Sequence, residues 1–100
     1  MTDSQHSTQP RPLFSLGRIV ATPGALEALE RVGKSPADIL ARHQRGDWGD
    51  LTDDDRRENE FSLGRHLRLF SAYHLDRDVK IWIITEADRS ATTILLPSDY

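Results

Sequence analysis

The chain has no cysteine, which excludes disulfide staples and thiolate catalysis and removes the ligand on which most structural zinc sites depend. No apolar run approaches the ~20 residues that a membrane-spanning helix requires. The segment MTDSQH (1–6) lacks the basic and apolar regions of a secretory signal. Together these absences lead us to expect a cytoplasmic protein with no membrane partner. There is no glycine-rich phosphate loop of the P-loop or dinucleotide type, so nucleotide binding has no support. Aromatic residues make up only 7% of the chain, so each of the two tryptophans calls for a structural or functional reason.

What is present fits one small domain. One hundred residues with 37% hydrophobic and 29% charged side chains can bury a single modest core. Residues 1–12 are rich in Ser, Thr, Gln and Pro and cannot offset the entropy of ordering, so we expect a disordered tail followed by a domain over 13–100. The net charge of -3 is unevenly placed. From 47 to 60, seven acids face two arginines, whereas Arg31, Lys34, Arg42 and Arg45 face only Asp38 between 31 and 45. An acidic face beside a basic one follows, and neither is extreme enough to name a partner.

Three helix starts share one grammar. Thr22-Pro23, Ser35-Pro36 and Thr52-Asp53 each set a hydroxyl cap before a proline or an acid, and predict helices from 23 to 32, from 36 to near Gly46, and from 53 to a stop at Gly64. Ile39, Leu40 and His43 form the inner stripe of the second helix; the third is polar until Phe61 and Leu63, which should anchor it. The chain then turns to strands. Residues 67–75 alternate, 79–85 are apolar on both faces and 91–96 close the sheet, with turns at Asp76-Arg77-Asp78 and 86–90. Trp82 lies within the middle strand and reads as core. The expected architecture is α+β, with three short N-terminal helices packed on a C-terminal three-stranded antiparallel meander and residues 13–22 as a candidate edge strand.

The most informative stretch is RHQRGDWGDL (42–51), which sets Trp48 between two glycines and two acids. Burying an indole removes roughly 150 to 250 Å² from water, so this reads as an ordered loop. Trp48 with Asp47, Asp50, Asp53, Asp54 and Asp55 forms a candidate partner-binding surface, since aromatic residues anchor interfaces. The plain alternative is a solvated helix face with acids at its positive end. A hard cation is not expected, because the run fails the calcium-loop template and adjacent aspartates do not converge. No other metal and no cofactor is implied.

A second constellation suits a small metal-independent ribonuclease. His43, His66 and His74 could move protons while Arg65 and Arg89 balance phosphorane charge. No spacing identifies these residues as a site; His66 and His74 share a face only if the first meander strand starts early. The turn Glu86-Ala87-Asp88-Arg89-Ser90 reads as a ligand loop or, in preference, as a turn in which Asp88 caps amides and Arg89 pairs with an acid. Residues 23–45 also admit a helix-turn-helix reading, although Arg42 and Arg45 come late for a recognition helix.

The segments LGRIVATPGALEAL (16–29), RHQRGDWGDL (42–51) and KIWIITEADRSATTILLPSDY (80–100) resemble a group of small uncharacterised proteins encoded on bacterial plasmids and integrated mobile elements. The resemblance implies a cytoplasmic bacterial context and brings no activity, cofactor or catalytic residue with it. The favoured expectation is a non-enzymatic protein-interaction module. It would bind or modulate a host or defence nucleic-acid-processing complex through the acidic, Trp-containing surface. The ribonuclease comes second and a DNA-binding accessory protein third, with direct nucleic-acid contact and oligomeric state left open.

Overall fold

The computed structural model describes residues 12–100; the expected tail lies almost wholly outside them. The architecture is α+β. Strand β1 (Arg18–Ala21) is followed by helices α1 (Pro23–Arg31), α2 (Pro36–Gln44) and α3 (Asp53–Arg65), then by β2 (Leu69–Asp76), β3 (Val79–Thr85), β4 (Ala91–Leu95) and a 3-10 turn (Pro97–Asp99). The helices therefore lie between the first strand and the other three. The sheet has four strands in the order β1-β4-β3-β2, and β1 runs parallel to β4. This corrects the expected three-stranded meander: β2, β3 and β4 pair antiparallel in chain order, but the N-terminal strand makes the sheet mixed. A crossover of three helices between β1 and β2 delivers the chain to the opposite edge, which no local pattern encodes.

The helix starts follow from their caps. Thr22, Ser35 and Thr52 each accept the backbone N–H three residues on, from Ala25, Asp38 and Asp55. Thr22 also donates to the Asp99 carboxylate at 2.6 Å, tying the first helix to the last turn. The end of α3 differs from expectation. Gly64 stays helical, and the chain leaves the helix at His66, which takes the left-handed conformation at φ 54° and donates its N–H to Ser62. Phe61 is exposed, and the helix is held instead by buried Asn59 and Ser62 and half-buried Leu63.

Register sorts the sheet into two faces. On the inner face the rows read Ala21–Ile94–Ile83–Ser71 and Ile19–Thr92–Thr85–Leu69 from β1 to β2, with Ile81 beside Tyr73. Ala25, Ala28 and Leu29 of α1 and Ile39 and Leu40 of α2 pack with Ile81, Ile83, Ile94 and Tyr73 to form the main core. The other face carries Val20–Thr93–Ile84–Phe70, Leu95–Trp82–Ala72 and Lys80–His74. Trp82 lies on this second face and is only half-buried, so it is not the core tryptophan that its place in a central strand suggests. An aliphatic strand flanked on both sides gives no local sign of which face is covered.

The outer edge of β2 is closed one residue at a time. Phe70 exchanges both backbone groups with the Asn59 side chain, which donates to its carbonyl at 2.6 Å and accepts its N–H at 3.1 Å. Ala72 donates to the Trp48 carbonyl and accepts from the Asp50 N–H, and the His74 N–H donates to the Asp50 carboxylate. An open row of donors and acceptors invites edge-to-edge association; here a helix side chain and a loop occupy that row.

Candidate functional site

The loop after α2 is shaped by its contact with β2. At Gly49 the backbone runs at φ 79°, and a Cβ there would sit 2.1 Å from the Ala72 carbonyl oxygen. Only glycine lets the loop pair with the strand at this point. That pairing pushes the neighbouring indole inward. Trp48 is 2% exposed, stacks on Phe14 and meets the His43 ring edge-on with centroids 5.6 Å apart. Its Nε1–H donates to Glu60 on α3 at 3.0 Å. The loop is ordered, as its glycines suggest, but its tryptophan is structural and offers no anchor to a partner.

The acids around Trp48 divide by use. Asp47 receives the Nε–H of Arg42 at 2.7 Å and a second guanidinium N–H at 3.3 Å. This hydrogen-bonded pairing holds the Asp47 carboxyl below the usual carboxylate range and raises Arg42 further. The Arg42 guanidinium also lies over the Tyr73 ring, 4.4 Å from its centroid. Asp50 serves the β2 edge. Asp53 and Asp54 are exposed and Asp55 is half-buried in the first turn of α3, where the helix dipole favours them; Asp54 pairs with Arg57.

His43 sits where α2 meets the inner face of the sheet and is 0% exposed. Its Nδ1 is 2.6 Å from Ser71 Oγ on β2, and its Nε2 is 2.9 Å from Thr85 Oγ1 on β3. Thr85 is 2.8 Å from Thr92 on β4, and Thr92 donates to the Leu16 carbonyl at 2.7 Å. The direction of every bond follows from that last one. A carbonyl only accepts, so the single Thr92 proton is committed to it and Thr92 must accept from Thr85. Thr85 in turn accepts the Nε2–H of His43, leaving Nδ1 as an acceptor for the Ser71 hydroxyl. The result is a neutral imidazole in the Nε2–H form with both nitrogens satisfied. Burial pushes its pKa down to about 3, with the charge of Arg89 adding to the effect.

The remaining residues of the ribonuclease set stand apart from this chain of bonds. His66 is the exposed cap of α3, and His74 is exposed on the outer face of the sheet. Because β2 begins at Leu69, the two histidines do not share a strand. Arg65 lies against the Phe61 ring on α3. Arg89, at φ 62°, donates to the carbonyls of Ser62, Leu67, Glu86 and Ala87, so it ties the 86–90 turn to the end of α3 through carbonyls where an acid was expected. Asp88 does cap the turn, accepting the Ser90 N–H. His43 and these four side chains do not converge on one cleft. Among the described residues no group of three His, Asp or Glu side chains is placed to hold a metal.

What is left open is the second face of the sheet. Phe70 meets Trp82 edge-on at 5.1 Å, and Trp82 meets Tyr100 at 5.8 Å. Arg68, Phe70, Trp82, Ile84 and Tyr100 line a depression of about 260 Å³. A second one, of about 320 Å³, shares Arg68 and Phe70 and runs to Phe61 and Leu67 beside α3. Sequence reasoning missed this surface because Phe70 and Trp82 occupy alternate strand positions that serve a core equally well. The packing of α1 and α2 against the inner face leaves them half-buried on the other. No described helix is long and apolar enough to cross a membrane. No family model matches the chain, and no significant match was found among curated proteins or solved structures.

Proposed function

We propose that this protein is a non-enzymatic binding module whose contact surface is the open face of its sheet. The observation that carries the reading is the cluster of half-buried Phe70 and Trp82 with Tyr100, which is 72% exposed. Aromatic residues and arginine are enriched where proteins bind, and a grouped apolar surface beside cationic side chains has a cost in water that binding relieves. The residues with catalytic potential support the same reading from the other side: His43 and Arg89 are committed to internal bonds and Trp48 to the core. In the mobile-element context that the sequence resembles, the module would act on a nucleic-acid-processing complex of a bacterial host.

The test is capture from a bacterial lysate with immobilised protein, comparing the wild type with Phe70→Ala and with Trp48→Phe. Binding through the sheet face requires that Phe70→Ala lose the captured material at unchanged fold, while Trp48→Phe retains it. Capture that survives Phe70→Ala contradicts the reading. So does cleavage of RNA by the purified protein that disappears in His74→Ala.

A further inference from the structure

We infer that the open sheet face binds single-stranded nucleic acid, with bases stacking on Phe70, Trp82 and Tyr100 and phosphates met by Arg18, Arg68 and Lys80. This rests on the sheet face being the contact surface and names its occupant.

The argument begins with the register. The outward positions of the four strands are Arg18 and Val20 on β1, Ala91, Thr93 and Leu95 on β4, Lys80, Trp82 and Ile84 on β3, and Phe70, Ala72 and His74 on β2. No acid occurs among them, in a chain whose net charge is -3. The acids lie elsewhere, seven of the sixteen on α3 and the loop before it. Carboxylates do lie at the rim, among them Glu86, 3.9 Å from Arg68, and Asp50, which accepts the His74 N–H at the β2 edge. Arg18 and Lys80 are exposed and form no ion pair among the described residues. Aromatic rings between cations on an open sheet are what a single strand needs. Every base has a π face to stack, and the backbone follows the positive charge.

A duplex fits less well. Its bases are already stacked, and the sheet face presents no helix or ribbon to enter a groove. A second copy of this chain would have to set Arg18, Arg68 and Lys80 against themselves across a two-fold axis, which like-charge repulsion opposes. Asp55 and Glu58 on the α3 side of the second depression repel phosphate, so a bound strand runs across the sheet from β2 to Arg18 on β1 and not against the helix.

The experiment is fluorescence anisotropy of the full chain with labelled ten-nucleotide dT and rU oligomers, and with a duplex of the same length, across a salt series. Binding should favour the single strands, and three phosphate contacts give a slope of about -2 in log K against log salt. Lys80→Glu and Arg18→Glu, both exposed and outside the core, should each weaken binding at least tenfold. Tyr100→Ala should weaken it several-fold without changing the salt slope, because it removes stacking and no charge. Lys34→Glu, at a basic position on the helical side, should leave binding unchanged.

The inference is overturned by no anisotropy change at tens of micromolar protein in low salt, by equal weakening by Lys34→Glu and Lys80→Glu, or by equal affinity for duplex. Sedimentation showing a dimer that Tyr100→Ala dissociates overturns it in favour of a second copy. Lysate capture that resists nuclease yet is lost in Phe70→Ala overturns it in favour of a protein partner, while leaving the sheet face as the contact surface.

Discussion

The Nδ1 of His43 lies 2.6 Å from the Ser71 hydroxyl oxygen, and both residues are fully buried. In a cleft the same pair would be a nucleophile beside its base. Here no substrate can approach, and the far side of the ring is occupied by Thr85. The pair instead joins α2 to the sheet with one rotamer and one tautomer. Replacing one partner of such a buried pair leaves the other unsatisfied, which costs more than the bond itself contributes.

Stability should therefore depend on pH through His43. Its folded pKa is about 3 against an ordinary value of 6.5, so between those values the unfolded chain takes up a proton that the folded one refuses. The contribution of this residue is complete above pH 6.5 and is lost as pH falls, by at most ~1.4 kcal/mol per pH unit. Asp47, whose carboxyl is also lowered, acts only below its ordinary value near 4 and leaves the window from 6.5 to 4 to His43. Urea titrations of the wild type should show the slope there, and His43→Gln should flatten it while lowering stability at pH 7 by about 2–4 kcal/mol.

Two of the glycines in the helical half, Gly49 and Gly64, should respond in opposite directions to the same change. Gly49→Ala forces a Cβ onto the Ala72 carbonyl at a positive φ and should cost at least ~2 kcal/mol. Gly64→Ala meets nothing within 4 Å inside α3 and should stabilise by up to about 1 kcal/mol. Thermal melts of the two variants against the wild type decide this.

Asn59 should behave as part of the sheet although it belongs to a helix. Asn59→Asp keeps an acceptor for the Phe70 N–H but sets a carboxylate oxygen against the Phe70 carbonyl, where the amide N–H had been. A loss of about 1–3 kcal/mol is expected, with faster hydrogen exchange at the Phe70 amide than in the wild type.

Arg89 should not be replaceable by lysine. Its fork reaches four carbonyls from two segments, and a single ammonium cannot span them. Arg89→Lys should loosen the 86–90 turn and the end of α3 together, seen as raised hydrogen exchange at Ser90 and Leu67.

Much of the framework was legible in the sequence because it is set by neighbours along the chain. The hydroxyl caps at Thr22, Ser35 and Thr52 start the three helices where they were expected, and the strand at 79–85 has the expected bounds. His43 belongs to the inner stripe of α2, as its spacing suggests. The failures are those of long-range choice. The segment 13–22 yields a strand only at Arg18–Ala21, because Phe14 leaves the sheet to stack on Trp48. The two tryptophans exchange expected places, Trp48 inward and Trp82 outward, since burial there depends on where a loop and three helices settle. His66 ends a helix in place of Gly64 because the bond to Ser62 and the Arg89 clamp hold that end.

The central claim is that the chain spends His43 and Trp48 on its interior and presents Phe70, Trp82 and Tyr100 to its surroundings. A soluble gadolinium chelate added to the wild-type protein, with side-chain NMR signals followed residue by residue, tests it without any substitution. The expected result is strong attenuation at Tyr100, clear attenuation at Trp82 and Phe70, and none at His43 or Trp48. Attenuation of the Trp48 indole equal to that of Trp82, or full protection of all three sheet-face rings, would contradict the account.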